Sequence, residues 1–182
     1  MKIITLSEKQ IKTSSIYNAI KEKHIVISIT SATNQEIVLP NNINRVSQLF
    51  LKFDDVQDID SRVIYFDQSM ADDILTFVEK HLTSISLIVV QCQAGLSRSV
   101  AVGSALSKIL NYTDDAIYTK GTPNMFVYTT ILDYFFGNRY WKNEYPKIAH
   151  HRLKSMSYYL DPATIRLSQS IEAKRARDEE IF

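Results

Sequence analysis

A chain of 182 residues with 45% hydrophobic and 23% charged content is long and apolar enough to bury one core. Its formal net charge of +1 gives no global basic field for nucleic acid or an anionic membrane. A single cysteine, Cys92, excludes an internal disulfide and a cysteine-rich zinc site, and a free thiol fits a reducing cytoplasm. The opening residues turn polar too soon for a signal peptide, and no apolar run approaches the roughly 18 residues of a membrane span.

In chain order, SEKQIKTSSIYNAIKEK (7–23) has helical spacing, with Ile11, Ile16, Ala19 and Ile20 toward one face. IVISIT (25–30) is short, β-branched and apolar, the pattern of a buried strand. SQLFLKF (47–53) reads as a second strand that runs into Asp54 and Asp55. SMADDILTFVEKHL (69–82) opens with Ser69 and Asp72 at capping-box spacing, and Ile74, Phe77 and Val78 follow at helical spacing. SLIVVQ (86–91) is a third strand and SVAVGSALSKIL (99–110) a helix. TPNMFVYTTILDYFF (122–136) places Thr122 as N-cap and Pro123 at the first helical position. DPATIRLSQSIEAKRARDEE (161–180) starts in the same way, with Asp161 and Pro162. Strands alternating with helices predict an α/β fold, with a central, mostly parallel sheet flanked by helices. A helical C-terminal extension follows.

Between the third strand and the next helix lies QCQAGLSRS (91–99). Arg98 stands six positions after Cys92, with Gly95, Ser97 and Ser99 around it. A small-residue loop leading into a helix points successive backbone N–H groups at an anion, and the helix N-terminus adds partial positive charge. Gly95 can take backbone angles that side chains disfavour. The planar fork of Arg98 suits two oxygens of a phosphate. The same field stabilises a thiolate at Cys92, and a thiolate in a phosphate cradle can attack phosphorus. Taken alone, a cysteine at a strand end is more often a small buried hydrophobe. The specific signal is the whole combination of Cys, five residues, Arg and Ser between a strand and a helix.

CQAGLSRS resembles the signature loop of the cysteine-dependent protein tyrosine phosphatases, above all their dual-specificity-like branch. The resemblance covers residues from about 25 to 136. LFLKFDD looks like that family's general-acid loop, and TPNMFVYTTIL like its Pro-Asn helix start. The low-molecular-weight phosphatases carry such a loop near the N-terminus, unlike the mid-chain Cys92. The resemblance implies a protein tyrosine phosphatase-like domain that hydrolyses phosphate monoesters through a phosphocysteine, with no metal and no organic cofactor. By matched position, Cys92 is the nucleophile and Arg98 the phosphate clamp, while Ser99 is the hydroxyl that helps the cysteine leave. The backbone N–H groups of Gln93, Ala94, Gly95, Leu96, Ser97 and Arg98 line the cradle. Asn124 matches an asparagine that supports the loop, although a residue at a helix start needs no such role. The general acid falls on Asp55, with Asp54 as the alternative and Asp58 and Asp60 farther along the same segment. A turn-forming aspartate is the ordinary role for either of the first two.

One position departs from the family pattern. Gln91 stands where the family has histidine, and an amide can hydrogen-bond but cannot carry charge. The departure implies slower turnover and leaves open a catalytically weak or inactive phosphate-binding module. A sulfur-transfer enzyme of the rhodanese type also uses a loop cysteine, but Arg98 and Ser99 favour phosphate. Phosphoproteins, at tyrosine or with dual specificity, are the expected substrates. Phosphoinositides and RNA 5′-phosphates also fit related cradles.

The remaining motifs point less far. NRYWKNEYPKIAHHRLK (138–154) mixes basic and aromatic residues, as nucleic-acid and lipid surfaces do, but reads more simply as a helix with a solvated face. His150 and His151 are adjacent and point in different directions on a helix, so they are poor joint metal ligands. The expected organisation is a phosphatase-like domain over 1–138 and a helical extension over 139–182. The oligomeric state is left open.

Overall fold

The computed structural model describes residues 1–56, 63–111 and 113–136. The expected extension over 139–182, the motifs at 138–154 and 161–180, and Asp58 and Asp60 lie outside the described residues. Four strands form one parallel sheet: β1 (Lys2–Ser7), β2 (His24–Thr30), β3 (Arg45–Lys52) and β4 (Leu87–Cys92). Their spatial order is β1-β4-β2-β3. The helices among the described residues are α1 (Glu8–Lys12), α2 (Ser14–Tyr17), α3 (Gln68–His81), α4 (Arg98–Asn111), α5 (Asp115–Tyr118) and α6 (Met125–Phe136). This is the α/β architecture expected from the alternating pattern, a parallel sheet flanked by helices.

Every residue of the two central strands, β2 and β4, is buried, which is why both read as short, largely apolar runs. The edge strands β1 and β3 are partly exposed. Sequence periodicity does not mark β1, because an edge strand needs only part of its surface apolar and KIITLS mixes both classes. On one face, Ile4, Leu6, Val26, Leu87 and Val89 pack with Ile11, Tyr17 and Ile20 from the α1–α2 segment. On the opposite face α4 lies close to β1, since a Cβ on Gly103 would stand 3.0 Å from Thr5 Cγ2.

Helix boundaries differ from the sequence reading in three places. The single helix expected over 7–23 is two short ones, α1 and α2, broken at Thr13, whose backbone is extended. The Thr13 hydroxyl donates back to Lys9 O at 2.7 Å, a local bond that competes with continuation of the helix. Ile11 and Ile20 are buried as expected, but Ile16 and Ala19 are exposed and Tyr17 takes the core position. At α3 the N-cap is Asp67, accepting from Met70 N–H at 2.9 Å, rather than Ser69. At α6, Asn124 Oδ1 accepts from Val127 N–H at 3.2 Å, so Asn124 caps the helix and Thr122 and Pro123 precede it.

β2 opens on a fully buried histidine. His24 Nδ1 lies 2.8 Å from Glu22 O and therefore carries the hydrogen, which leaves Nε2 to accept from Tyr17 O–H at 3.0 Å. Burial pushes the His24 pKa below 6.5, as does the Arg45 charge, against the opposing effects of the Glu22 carbonyl and carboxylate. The unfolded chain therefore binds the proton more readily than the native one. Stability from this group is present above about pH 6.5 and is lost as pH falls toward the lowered native value. The urea midpoint of the native protein should fall between pH 7.5 and 5.5. His24→Asn, less stable at the upper pH, should show a smaller fall across the same interval.

Candidate active site

β4 ends at Cys92 and α4 begins at Arg98, so residues 93–97 cross the carboxyl end of the parallel sheet. Ligands of open α/β sheets bind at that end. The loop is pinned on both sides. Gln93 O accepts from Glu8 N–H at 3.2 Å, and Leu96 O accepts from Thr122 N–H at 2.9 Å. Gly95 has φ +75°, and a Cβ there would stand 2.7 Å from Ser7 N. Glycine alone takes that conformation freely and lets the loop rest against the end of β1. On the other side a Cβ on Gly121 would stand 2.2 Å from Leu96 O. Gly121 is thus part of the site's frame. Its only trace in the sequence is its place before the Thr-Pro-Asn run.

Cys92 is 1% exposed and Ser99 is fully buried behind it. Gly95 N–H donates to Cys92 Sγ at 3.3 Å, and the thiol donates to Ser99 Oγ at 3.1 Å. As a thiolate, Cys92 would accept from the Ser99 hydroxyl as well as from Gly95.

Arg98 is 3% exposed. Its NH1 donates to Phe53 O at 2.8 Å and to Ser31 Oγ at 3.3 Å, and its Cζ lies 6.0 Å from the Phe53 ring centroid. Phe53 and Ser31 position the clamp, and the sequence reading did not include them. Arg98 Nε is buried and has no hydrogen-bond partner among the described residues, an uncommon state for a guanidinium donor. It stands 3.9 Å from Asp55 Oδ2.

The two candidate acids occupy different environments. Asp54 accepts from Ala32 N–H at 3.2 Å through Oδ1 and from Ile64 N–H at 3.1 Å through Oδ2. Both of its oxygens tie backbone segments together. Asp55 faces the cradle. Its Oδ1 accepts from Ser97 Oγ at 2.7 Å and from Asn124 Nδ2 at 2.9 Å, while Oδ2 is turned toward Arg98. Asn124 also donates to Val56 O at 3.0 Å. Its bonds therefore hold the aspartate segment rather than residues 93–98.

Gln91 is fully buried, in register with Leu6 on β1 and Ser28 on β2. Neither its amide nor the Ser28 hydroxyl has a hydrogen-bond partner among the described residues. No group of three His, Cys, Asp or Glu side chains is placed to hold a metal ion among the described residues. Nor is any described helix long and apolar enough to cross a membrane.

Gly95→Ala tests the frame. Strain at a left-handed residue costs on the order of 1–3 kcal/mol, and the added methyl must push the loop off Ser7. The variant should melt at a lower temperature than the native protein, read by thermal unfolding.

No family model matches the sequence, and no curated protein matches it significantly. Solved structures do match. Human DUSP28 aligns with a TM-score of 0.53 at 14% identity, over 72% of this chain and 90% of its own. The human tyrosine phosphatase-like serine/threonine/tyrosine-interacting protein aligns with a TM-score of 0.54 at 16% identity, over 72% and 89%. At such identities the likeness is one of fold. With its parallel sheet, and with Cys92 and Arg98 at the two ends of the strand–helix loop, the chain has the α/β fold of the dual-specificity-like protein tyrosine phosphatases.

Proposed function

We propose that the protein is a cysteine-dependent phosphatase that hydrolyses phosphate monoesters of phosphoproteins, at tyrosine or with dual specificity, with residues 1–138 as the phosphatase-like domain. The observation that carries this reading is a buried arginine donor with no hydrogen-bond partner among the described residues, Arg98 Nε, on the loop whose glycine N–H already points at Cys92 Sγ. A phosphate oxygen would satisfy that donor, and phosphorus would then lie within reach of sulfur. A thiol required for chemistry also suits a reducing cytoplasm.

In the first step the Cys92 thiolate forms a bond to phosphorus as the ester P–O bond breaks. Asp55 delivers a proton to the leaving oxygen, so the alcohol departs neutral. Oδ2 is the oxygen to carry that proton, because Oδ1 is occupied by the Ser97 and Asn124 donors. Arg98 and the backbone N–H groups of 93–98 hold the equatorial oxygens as charge develops on them. In the second step water attacks phosphorus, the ionised Asp55 takes the water's proton, and the P–S bond breaks. The Ser99 hydroxyl donates to the departing thiolate, which restores Cys92. No step uses Asp54, whose oxygens are both taken by backbone N–H groups.

A second reading, a phosphate-binding module without turnover, is favoured by one observation. Gln91 leaves two amide atoms unpaired in the interior, directly before the nucleophile. Hydrolysis of para-nitrophenyl phosphate across pH separates the two. Cys92→Ser should abolish turnover. Asp55→Asn should lower it by about 10²-fold or more, and Asp54→Asn should act mainly on the melting temperature. Turnover that persists in Cys92→Ser sinks the phosphocysteine. A larger kinetic loss from Asp54→Asn than from Asp55→Asn reverses the acid assignment. Folded native protein that binds phosphate and releases none from the ester supports the module.

A further inference from the structure

A cavity of about 370 Å³ opens beside the cradle and shares two walls with it. One is Gln93, the cradle residue after the nucleophile. The other is Ser31, whose Oγ accepts from Arg98. Glu8 and Lys12 of α1, Thr30 at the end of β2, and Asn34, Gln35 and Glu36 in the following loop complete the polar lining among the described residues. The volume falls at the lower end of the range for small-ligand pockets.

The cavity wall contains a polar group with nothing to bind. Thr30 is 6% exposed, and its Oγ1 has no hydrogen-bond partner among the described residues. Ser28 lies two residues earlier on the same face of β2, with Gln91 beside it in register, and both are unpartnered too. Unmade hydrogen bonds of this kind cost stability, and they lie just beneath the cavity wall.

Charge decides which ligand class fits. Lys12 is held by Glu8 at 2.5 Å across one helical turn. Glu36 has only a long contact with Lys52, at 4.0 Å, and both side chains are largely exposed, so that pair holds it weakly. Among the described residues the lining thus carries two carboxylates, Glu8 and Glu36, against one ammonium, Lys12. It disfavours a second phosphate, as in a phosphoinositide bisphosphate or an RNA backbone, and attracts a guanidinium or ammonium group.

We propose that this cavity is a substrate subsite that takes a basic side chain flanking the phosphoresidue of a phosphopeptide, with Glu36 as its anion. The proposal rests on the phosphatase reading for what enters the cradle. Its test uses three phosphotyrosine peptides that differ only in carrying Arg, Gln or Glu on both sides of the phosphotyrosine. Their binding to Cys92→Ser is measured by fluorescence anisotropy, and phosphate release by the native protein is measured in parallel. The Arg peptide should bind about threefold tighter than the Gln peptide, the size of an exposed ion pair. Glu36→Gln, added to Cys92→Ser, should bring that ratio to about one, and Glu36→Lys should invert the order of the Arg and Glu peptides. The readout is a ratio between peptides, so a general loss of affinity cancels. A ratio of one without the Glu36 change, or a preference that survives Glu36→Gln, overturns the subsite. Tighter binding of the Glu peptide or of a soluble inositol bisphosphate overturns it in favour of an anionic neighbour. The Arg preference in binding, with no phosphate released from any peptide, leaves the subsite standing and removes the hydrolytic reading.

Discussion

The close approach of three backbone segments holds the site together. Residues 93–97 lie so tightly between the end of β1 and the segment before α6 that neither Gly95 nor Gly121 has room for a methyl group. Hydrogen bonds from Glu8 N–H and Thr122 N–H fix the same loop at its two ends. Because the contact is backbone against backbone, few side chains are needed to shape the loop. It also explains why β1 belongs to the sheet's functional half. Its register with β4, Ser7 beside Cys92, delivers the chain end on which Gly95 rests.

Arg98 links that frame to the rest of the molecule. The guanidinium spans from the first turn of α4 to the carbonyl of Phe53, just past β3, and to Ser31, just past β2. Two strand ends and a helix start therefore meet at one cation. A buried charge needs such fixed dipoles to be tolerated, and the ones it has leave Nε without a hydrogen bond among the described residues. Asp55 joins the network from the same side, held by Ser97 of the cradle and by Asn124 of the α6 cap. Asp55 and Arg98 are thus positioned by the same few contacts. A displacement of the loop moves both together.

Residues whose chemistry and spacing are local were legible in the sequence. Cys92, Arg98 and Ser99 stand out by spacing, and β2 and β4 by short, largely apolar runs. What was not legible depends on distance. Nothing local separates Asp54 from Asp55, because their difference lies in partners 10 to 69 residues away. Gly121 and Phe53 act through backbone atoms, which leave no mark in residue type beyond glycine itself. The helix boundaries failed for a related reason. Thr13, Asp67 and Asn124 each make a specific side-chain bond that outcompetes the pattern around it. β1 failed because an edge strand is only half a hydrophobic signal.

Gln91 ties the cost of this design to its chemistry. Its amide, the Ser28 hydroxyl and the Thr30 hydroxyl share one sheet face and lack partners among the described residues. Each unmade bond costs about 1–3 kcal/mol. A fold with a net stability of roughly 5–15 kcal/mol does not carry such groups without consequence. Apolar residues at these positions would extend the core that Val26 and Val89 begin on the same face. Polar groups that break a local rule cluster where a protein binds or reacts. Here they run from the residue before Cys92 to the wall of the adjoining cavity, which places these unsatisfied groups directly beneath the surface around the 93–97 loop.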